Sequence, residues 1–265
     1  MSRTAVIAGR GALAETVVAA LDAPLVYALE GFEPGIPAQP FRLERLVPFL
    51  DSLVEARVEN VVFAGAIRRP RLDPEAFDAR TAQLVPRILT AMQSGDDAAL
   101  REVLDIFEEH DLSVRGVDEL LPDLVPAAGV LTGAPSEADR RDAEQAARIL
   151  QGTGEFDIGQ GVVIAQGLCL AIETLPGTAA MLEFAGRHRD LKPNPAGSKG
   201  VFYKAPKPTQ DRRIDLPTIG PETVSQAAAA GLAGIAWQAG GVIVLERDKT
   251  VARASDAGLF LWARD

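Results

Sequence analysis

The chain has 265 residues, 47% of them hydrophobic and 24% charged, so it can bury a hydrophobic core without help from disulfides. Its 37 acidic and 27 basic side chains give a net charge of −10, which disfavours general binding to nucleic-acid phosphates. Two histidines and one cysteine leave almost no material for a His-based zinc site, a Ser-His-Asp triad or an internal disulfide. The sequence shows neither a signal-peptide pattern nor an apolar run of transmembrane length, so we expect a cytoplasmic protein.

The first part of the chain alternates between strand and helix patterns. An apolar run, Thr4 to Ala8, breaks at Gly9-Arg10-Gly11 and passes into a helical pattern; strands at 25–29 and 61–66 follow, separated by a helix through Leu46 to Val54. This alternation predicts a parallel sheet covered by helices, in a Rossmann-like domain. The glycine pair is half of a dinucleotide fingerprint, because Ala14 stands where a third glycine is expected.

The rest of the chain is predicted to form a second α/β domain. Helical periodicity covers 80–92 and 96–109, a short strand lies at 112–115, and the Pro- and Gly-rich stretch 126–135 is typical of a linker. Ser136 and Asp139 have the spacing of a capping box for a helix through Leu150. We therefore expect a Rossmann-like domain over 1–130 and an α/β domain with a mixed sheet over 131–265. Its predicted strands are 161–165, 168–173, 200–204, 234–238, 242–246 and 259–263, and its helices are 179–187 and 222–230.

The densest polar segment runs from Lys204 to Gly220, where three prolines constrain several charged side chains. Ammonium and guanidinium groups suit phosphate oxygens, and the candidates are Lys204, Lys207, Arg212 and Arg213. Asp211 and Asp215 are candidate ligands of Mg²⁺, which prefers one or two carboxylates together with water and substrate oxygens. The pattern favours a phosphate-transfer or phosphate-hydrolysis site. A solvated loop with surface ion pairs is the alternative.

Three other segments have both a structural and a functional interpretation. Asp97, in Gly95-Asp96-Asp97, either stabilises the start of a helix or serves as a catalytic acid. Gly159-Gln160-Gly161 suits an ordinary turn as well as a close backbone approach to a ligand. The arginines Arg68, Arg69 and Arg71 follow the third strand, where open α/β sheets bind ligands, and a solvated basic turn is the alternative. Cys169 lies in an apolar run, which predicts a buried and inert thiol.

Taken together, these segments resemble the LpxI-type UDP-2,3-diacylglucosamine pyrophosphatases over nearly the whole chain. The most specific match is the fourteen-residue segment from Lys207 to Gly220, which reads Lys-Pro-Thr-Gln-Asp-Arg-Arg-Ile-Asp-Leu-Pro-Thr-Ile-Gly. The other matching segments are Gly9–Leu13, Gly95–Ala98, Pro122–Leu124, Asp157–Gln160 and Ala230–Ala236.

The resemblance implies a cytoplasmic step of lipid A biosynthesis. UDP-2,3-diacylglucosamine would be hydrolysed, with Mg²⁺, to 2,3-diacylglucosamine 1-phosphate (lipid X) and UMP, with water directed at the phosphorus nearer the sugar. We expect the catalytic residues Asp215, Asp97, Lys207 and Arg213, and the metal ligands Asp215 and Asp211. The expected substrate-binding residues are Gly9, Arg10, Gly11, Arg69, Gln160, Thr178, Lys204 and Thr218.

One position departs from the family pattern, because Ala179 stands where an acid is expected. The substitution would slow or abolish turnover if that acid binds metal or positions water, and it keeps open a non-catalytic nucleotide- or lipid-binding protein. An NAD-dependent oxidoreductase is a weaker alternative, for which Glu30 is near the required position. The acylated substrate and the loop holding Lys192 and Lys199 predict peripheral contact with the inner membrane. A homodimer is expected only from the size of the chain.

Overall fold

The computed structural model describes residues 3–67, 71–208 and 210–265, with the side chain of Asp96 left out. The chain forms two compact units, of which the first contains residues 1–122 and the short segment Asp211–Asp215. The second contains Asp123–Gln210 and Leu216–Asp265. Both units combine a β-sheet with helices, so the predicted α/β class is confirmed.

The first unit is built on a five-stranded parallel sheet in the order β3-β2-β1-β4-β5. Its strands are β1 (Arg3–Ala8), β2 (Leu25–Leu29), β3 (Gln39–Phe41), β4 (Val58–Ala64) and β5 (Ser113–Val114). Its helices are α1 (Ala12–Ala20), α2 (Leu46–Glu55), α3 (Val85–Gln93), α4 (Asp96–Glu108) and α5 (Val117–Leu120). The predicted Rossmann-like alternation of strand and helix is therefore present.

The core of the first unit lies between the sheet and helices α2 and α4. Apolar residues spaced three or four apart on these helices, among them Leu46, Leu50 and Leu104, are buried against Ile7 and Val61 of the sheet. This spacing is the pattern that gives an amphipathic helix one apolar face. The turns that follow β1 and β4 lie at the same edge of this sheet.

The second unit is built on a six-stranded mixed sheet in the order β6-β13-β11-β9-β7-β8. Strands β9, β11 and β13 are parallel, while β6, β7 and β8 pair in antiparallel fashion. The strands are β6 (Gly129–Thr132), β7 (Gly161–Ala165), β8 (Leu168–Ile172), β9 (Val201–Lys204), β11 (Gly234–Gln238) and β13 (Phe260–Arg264). A two-stranded sheet is formed by β10 (Thr218–Ile219) and β12 (Ile243–Val244).

Helices cover this sheet, and the two faces have separate cores. One core is formed with α7 (Thr178–Arg187), α8 (Pro221–Ala229) and α9 (Arg247–Asp256), and includes Phe202 and Trp237. The other is formed with α6 (Glu137–Gly154) and includes Val162 and Tyr203. Alternate residues of each strand point to opposite faces, so Phe202 and Lys204 of β9 lie on the side of α7.

Two sequence-based expectations in the second unit are wrong, those for the linker and for Cys169, and the helix α9 between the last two strands was not predicted. The predicted linker 126–135 contains β6, which pairs with β13. Cys169 is exposed, because it lies on β8 at the edge of the sheet. Partial desolvation raises the pKa of its thiol, so the expectation of an unreactive thiol keeps its chemical basis.

In the part of the chain that the structure describes, we find no helix with the length and apolar character needed to span a bilayer.

Candidate active site

Three polar side chains of the second unit meet where β8 and β9 end and α7 begins. Lys204 is the last residue of β9, Glu173 follows β8 directly, and Thr178 is the first residue of α7. The Nζ atom of Lys204 donates a hydrogen bond of 2.7 Å to Oγ1 of Thr178, which donates one of 2.7 Å to Oε1 of Glu173. The side chains of Lys204 and Glu173 are only 8% and 14% exposed, so this chain of hydrogen bonds is largely removed from solvent.

A second lysine of the same unit, Lys207, forms an ion pair with the loop that follows α6. Nζ of Lys207 forms an ion pair with Oδ1 of Asp157, and the Lys207 side chain is only 9% exposed. The loop carrying Asp157 is joined to the end of β9 by a hydrogen bond from the Ala205 amide to the Gln160 carbonyl. The backbone amide of Lys207 donates to Oε1 of Gln210. Lys204, Lys207, Asp157, Glu173 and Thr178 are called the lysine cluster below.

Gly159 and Gly161 make room for Glu173. A β-carbon on Gly161 would lie 2.6 Å from Oε2 of Glu173, and one on Gly159 would lie 2.1 Å from its carbonyl oxygen. Gly159 also has a φ of +61°, which L-residues with a side chain seldom adopt. Both glycines are therefore explained by close approach to another part of the same chain, so a close approach to a ligand is not needed to account for them.

Each lysine of the lysine cluster faces a carboxylate, and exposed apolar side chains lie next to it in sequence. Leu175, two residues after Glu173, is 98% exposed, and Phe156, just before Asp157, is 75% exposed. An exposed apolar side chain marks an interaction site when it belongs to a contiguous apolar patch. Nearly buried ammonium groups flanked by exposed apolar residues suit a ligand that carries both negative charge and hydrocarbon.

The first unit contains a second charged group, formed by the segment Asp211–Asp215. The guanidinium group of Arg213 donates to both carboxylate oxygens of Asp211, with Nε 3.0 Å from Oδ1 and Nη2 2.7 Å from Oδ2. Nη1 of Arg213 donates to Oε1 of Glu108 at 2.6 Å. These hydrogen bonds lower the pKa of Asp211 and raise that of Arg213. Arg212 forms a longer ion pair, 3.5 Å, with Asp118.

The two predicted ligands of Mg²⁺, Asp211 and Asp215, both belong to this segment. Both oxygens of Asp211 accept hydrogen bonds from Arg213, so metal binding there would require the ion pair to open. Within the described residues, no group of three or more His, Cys, Asp or Glu is arranged to hold a metal. Mg²⁺ does not need such a group when the substrate supplies phosphate oxygens. Asp215 belongs to the same segment, and its role as a metal ligand remains a prediction.

The other predicted site residues lie in several places. Gly9 and Gly11 form the turn after β1; a β-carbon on Gly9 would lie 2.6 Å from the Gly65 carbonyl, and Gly11 has a φ of +101°. Arg10 lies over the ring of Phe32 at 5.9 Å. Arg69 and Arg68 are outside the described residues. Asp97 is buried in the first turn of α4, and Oγ1 of Thr218, on β10, donates to the Leu216 carbonyl. Their roles in binding or catalysis remain predictions.

Sequence reasoning did not assign a role to Glu173 or Asp157. Glu173 precedes a Pro-Gly turn and was not among the candidates, and Asp157 stood only within a matching segment. The nearby signal was the glycine pair at 159 and 161, because two glycines this close to a predicted strand indicate that some group approaches the backbone. Only the fold shows that this group is Glu173.

Comparison with known proteins assigns both units of the chain. Residues 3–124 match the LpxI N-terminal domain, and residues 127–262 match the LpxI C-terminal domain. The chain belongs to the LpxI family. It is 37% identical, over 100% of its own length and 98% of the relative's, to the UDP-2,3-diacylglucosamine pyrophosphatase LpxI of Caulobacter vibrioides. The LpxI resemblance of the sequence segments is therefore confirmed at the level of the family.

Proposed function

We propose that this LpxI-family chain hydrolyses UDP-2,3-diacylglucosamine to UMP and 2,3-diacylglucosamine 1-phosphate (lipid X), a step of lipid A biosynthesis. The observation that carries the proposal is the 37% identity, along the full chain, to a relative named for this pyrophosphatase activity. The chain also matches both domains of the LpxI family, the N-terminal domain over residues 3–124 and the C-terminal domain over residues 127–262.

The lysine cluster supports the proposal by its chemistry. Hydrolysis of a diphosphate adds negative charge to the bridging oxygen as the P–O bond breaks, so fixed cations stabilise the transition state. Lys204 and Lys207 are nearly buried, and a charge in a site of low dielectric acts more strongly than one in water. We assign them to the diphosphate oxygens. Water adds to the phosphorus nearer the sugar, and the bridging oxygen leaves with UMP.

Mg²⁺ belongs to this proposal through Asp215, which would hold it together with the diphosphate oxygens. When bound, the ion supplies neutralisation of the charge that develops on those oxygens. Asp97 is the second candidate acid, to activate water or bind metal, and Arg213 is a candidate for holding the diphosphate in line.

The two acyl chains of the proposed substrate need a nonpolar environment. Met181 and Leu182 of α7 are buried in the protein core, whereas Leu168 of β8 and Phe184 of α7 are exposed. Leu175 and Phe156 beside the lysine cluster are more exposed still. We propose that such exposed apolar residues contact acyl chains, either those of the substrate or those of the inner membrane, which would make the protein peripheral to the membrane.

The function is tested by incubating the protein with UDP-2,3-diacylglucosamine and Mg²⁺ in water enriched in oxygen-18. We expect UMP and lipid X in equal amounts, with the label in the phosphate of lipid X and not in UMP. A chelator should stop the reaction, and added Mg²⁺ should restore it. The absence of UMP in the Mg²⁺-containing reaction would contradict the proposal, and a label in UMP would contradict the assigned site of attack.

Ala179 provides a second arm of the same assay and addresses the carrier alternative. Ala179 is exposed in the first turn of α7, directly after Thr178, so an aspartate there would lie next to the lysine cluster. If the missing acid limits turnover, Ala179→Asp should raise kcat by about tenfold or more, whereas the neighbouring Ala180→Asp should not. If the wild-type protein binds the substrate without releasing UMP, and the Ala179→Asp variant does release it, the wild-type protein is a carrier.

A further inference from the structure

Glu173 is a largely buried carboxylate to which the proposed chemistry gives no role. Its Oε1 atom accepts a hydrogen bond from Thr178, while its Oε2 atom is buried without a hydrogen-bond partner. Oε2 lies 3.9 Å from Nζ of Lys204, against Gly161, whose added β-carbon would also touch the ring of Phe202. This oxygen therefore faces the apolar wall formed by β7 and β9.

The direction of the hydrogen bonds in this group is fixed by chemistry. An ammonium group only donates and a carboxylate only accepts, so the Thr178 hydroxyl accepts from Lys204 and donates to Glu173. The single hydroxyl proton of Thr178 is then committed to Glu173. As a result, the hydroxyl presents a lone pair to Lys204, and the place of Nζ depends on where Glu173 holds Thr178.

The charge of Glu173 adds a second constraint on Lys204. A buried charge is costly unless an opposite charge compensates it, and Oε2 has Lys204 as its cation at 3.9 Å. Replacing the carboxylate of Glu173 with an uncharged amide of the same shape would weaken the electrostatic attraction that keeps the ammonium group of Lys204 at Thr178. The glycines at 159 and 161 leave the space that Glu173 needs to make both contacts.

We propose that Glu173 is a positioning residue that, through the Thr178 hydroxyl, sets the place and orientation of the Lys204 ammonium group. The inference rests on the proposed function only for what Lys204 then holds, namely the diphosphate of the substrate. Glu173 itself touches neither the diphosphate nor the attacking water, because its carboxylate is directed to Thr178 and to the apolar wall.

The first test follows Lys204 directly and needs no enzymatic activity. The labelling rate of Nζ with an amine-acylating reagent is measured by peptide mass spectrometry in the full-length protein, with the exposed Lys249 as internal reference. Glu173→Gln and Thr178→Val should each raise the Lys204 rate by about fivefold or more, because a released ammonium group reaches solvent. Glu183→Gln, an exposed glutamate of α7 paired with Arg187, should leave the rate unchanged.

The double variant Glu173→Gln/Thr178→Val separates positioning from independent effects. If Glu173 acts through Thr178, the double variant should label Lys204 no faster than the faster single variant. Multiplied effects in the double variant, or an unchanged rate in Glu173→Gln, would overturn the proposal. Circular dichroism and thermal unfolding show whether each variant is folded. If Glu173→Gln does not fold, the Lys204 labelling rates of Thr178→Ser and Thr178→Val are compared instead. Only Thr178→Val should raise the rate.

The second test connects positioning to the reaction. Glu173→Gln should lower kcat/KM for UDP-2,3-diacylglucosamine by about tenfold or more, with most of the loss in kcat. Thr178→Ser should keep most of the activity that Thr178→Val loses. A wild-type protein that releases no UMP would contradict the proposed function, and the labelling experiment would still decide the role of Glu173.

Discussion

At the scale of single residues, the packing around Gly161 explains why a glycine stands at the start of β7. A β-carbon there would lie 2.6 Å from Oε2 of Glu173 and 2.9 Å from the ring of Phe202. Neither neighbour can move easily, because Phe202 is fully buried and Glu173 is held by Thr178. The absence of a side chain at 161 is thus part of the structure of the lysine cluster.

We expect Gly161→Ala to lower the free energy of unfolding by about 1–3 kcal/mol, since inserting an atom into a packed core strains its neighbours. Gly152→Ala is the matched control, because a β-carbon at this position in α6 would meet no atom within 4 Å. The control should be neutral or stabilising by up to about 1 kcal/mol, as alanine is the better helix former. Urea unfolding measures both, and equal stability of the two variants would contradict the packing argument.

The residues of the site could be predicted only in part. Lys204 and Lys207 were predicted because ammonium groups suit phosphate oxygens wherever they lie, and Thr178 was predicted only from the family resemblance. Their carboxylate partners were not predicted, since Asp157 is 50 residues from Lys207 and the pairing depends on how the strands are ordered. A sequence gives the kinds of group available, whereas the partner of each group is fixed by the tertiary structure.

At the scale of elements, the start of α6 shows a local signal that the tertiary structure leaves unchanged. Oγ of Ser136 accepts from the Asp139 amide at 3.2 Å, and Oδ2 of Asp139 accepts from the Ser136 amide at 2.9 Å. The predicted capping box is confirmed. The four residues that form it are contiguous, so their geometry needs no distant partner.

Ser136→Ala should lower the free energy of unfolding by about 1 kcal/mol, because an amide of the first turn of α6 loses its acceptor. Ser136→Thr is the control, since it keeps the hydroxyl oxygen and should retain most of the stability. The shift of the urea midpoint at constant slope gives the difference. An alanine variant as stable as the threonine variant would show that the cap contributes nothing to the folded state.

Two of the elements that were not predicted, β6 and α9, escaped prediction for different physical reasons. β6 lies at the edge of its sheet, where one partner strand is enough and a Pro- and Gly-rich sequence is tolerated. α9 buries only Thr250 and Ala254, which are too small and too few to produce an apolar period. The strands predicted at 25–29, 161–165 and 234–238 match β2, β7 and β11 in full, since buried strands have the most continuous apolar runs.

At the scale of the whole molecule, the segment Asp211–Asp215 matters because it belongs to the first unit although both its flanks belong to the second. Ile214 packs against the core of the first unit. Arg213 joins Asp211 to Glu108, at the end of α4. The first unit is therefore completed by residues about ninety positions beyond its main part.

The ion pair of this segment predicts a pH dependence of stability. Arg213 lowers the pKa of Asp211, so the stabilisation is complete above the ordinary carboxyl pKa of about 4 and is lost as the pH falls through the lowered value. At pH 7, Asp211→Asn should lower the free energy of unfolding by about 1 kcal/mol, a modest effect because the ion pair is partly exposed. This difference should shrink below a pH of about 4.

Chemical unfolding at pH 7 and at pH 3 measures the dependence. The exposed Asp22→Asn serves as the control and should stay within about 0.5 kcal/mol of the wild type at both values. A difference for Asp211→Asn that is the same at both pH values would show that the ionised carboxylate is not what stabilises the segment.

The path of the chain through Asp211–Asp215 has a consequence for anyone who wishes to divide the protein. A single scission after Pro122 yields an amino-terminal fragment deprived of Ile214 and Arg213, and leaves those residues attached to the other fragment. The first unit cannot be encoded by one unbroken stretch of gene without losing Ile214 from its core, and a gene for the second unit would carry five residues that belong to the first. Because of these five residues, no single division of the gene separates the two LpxI domains cleanly.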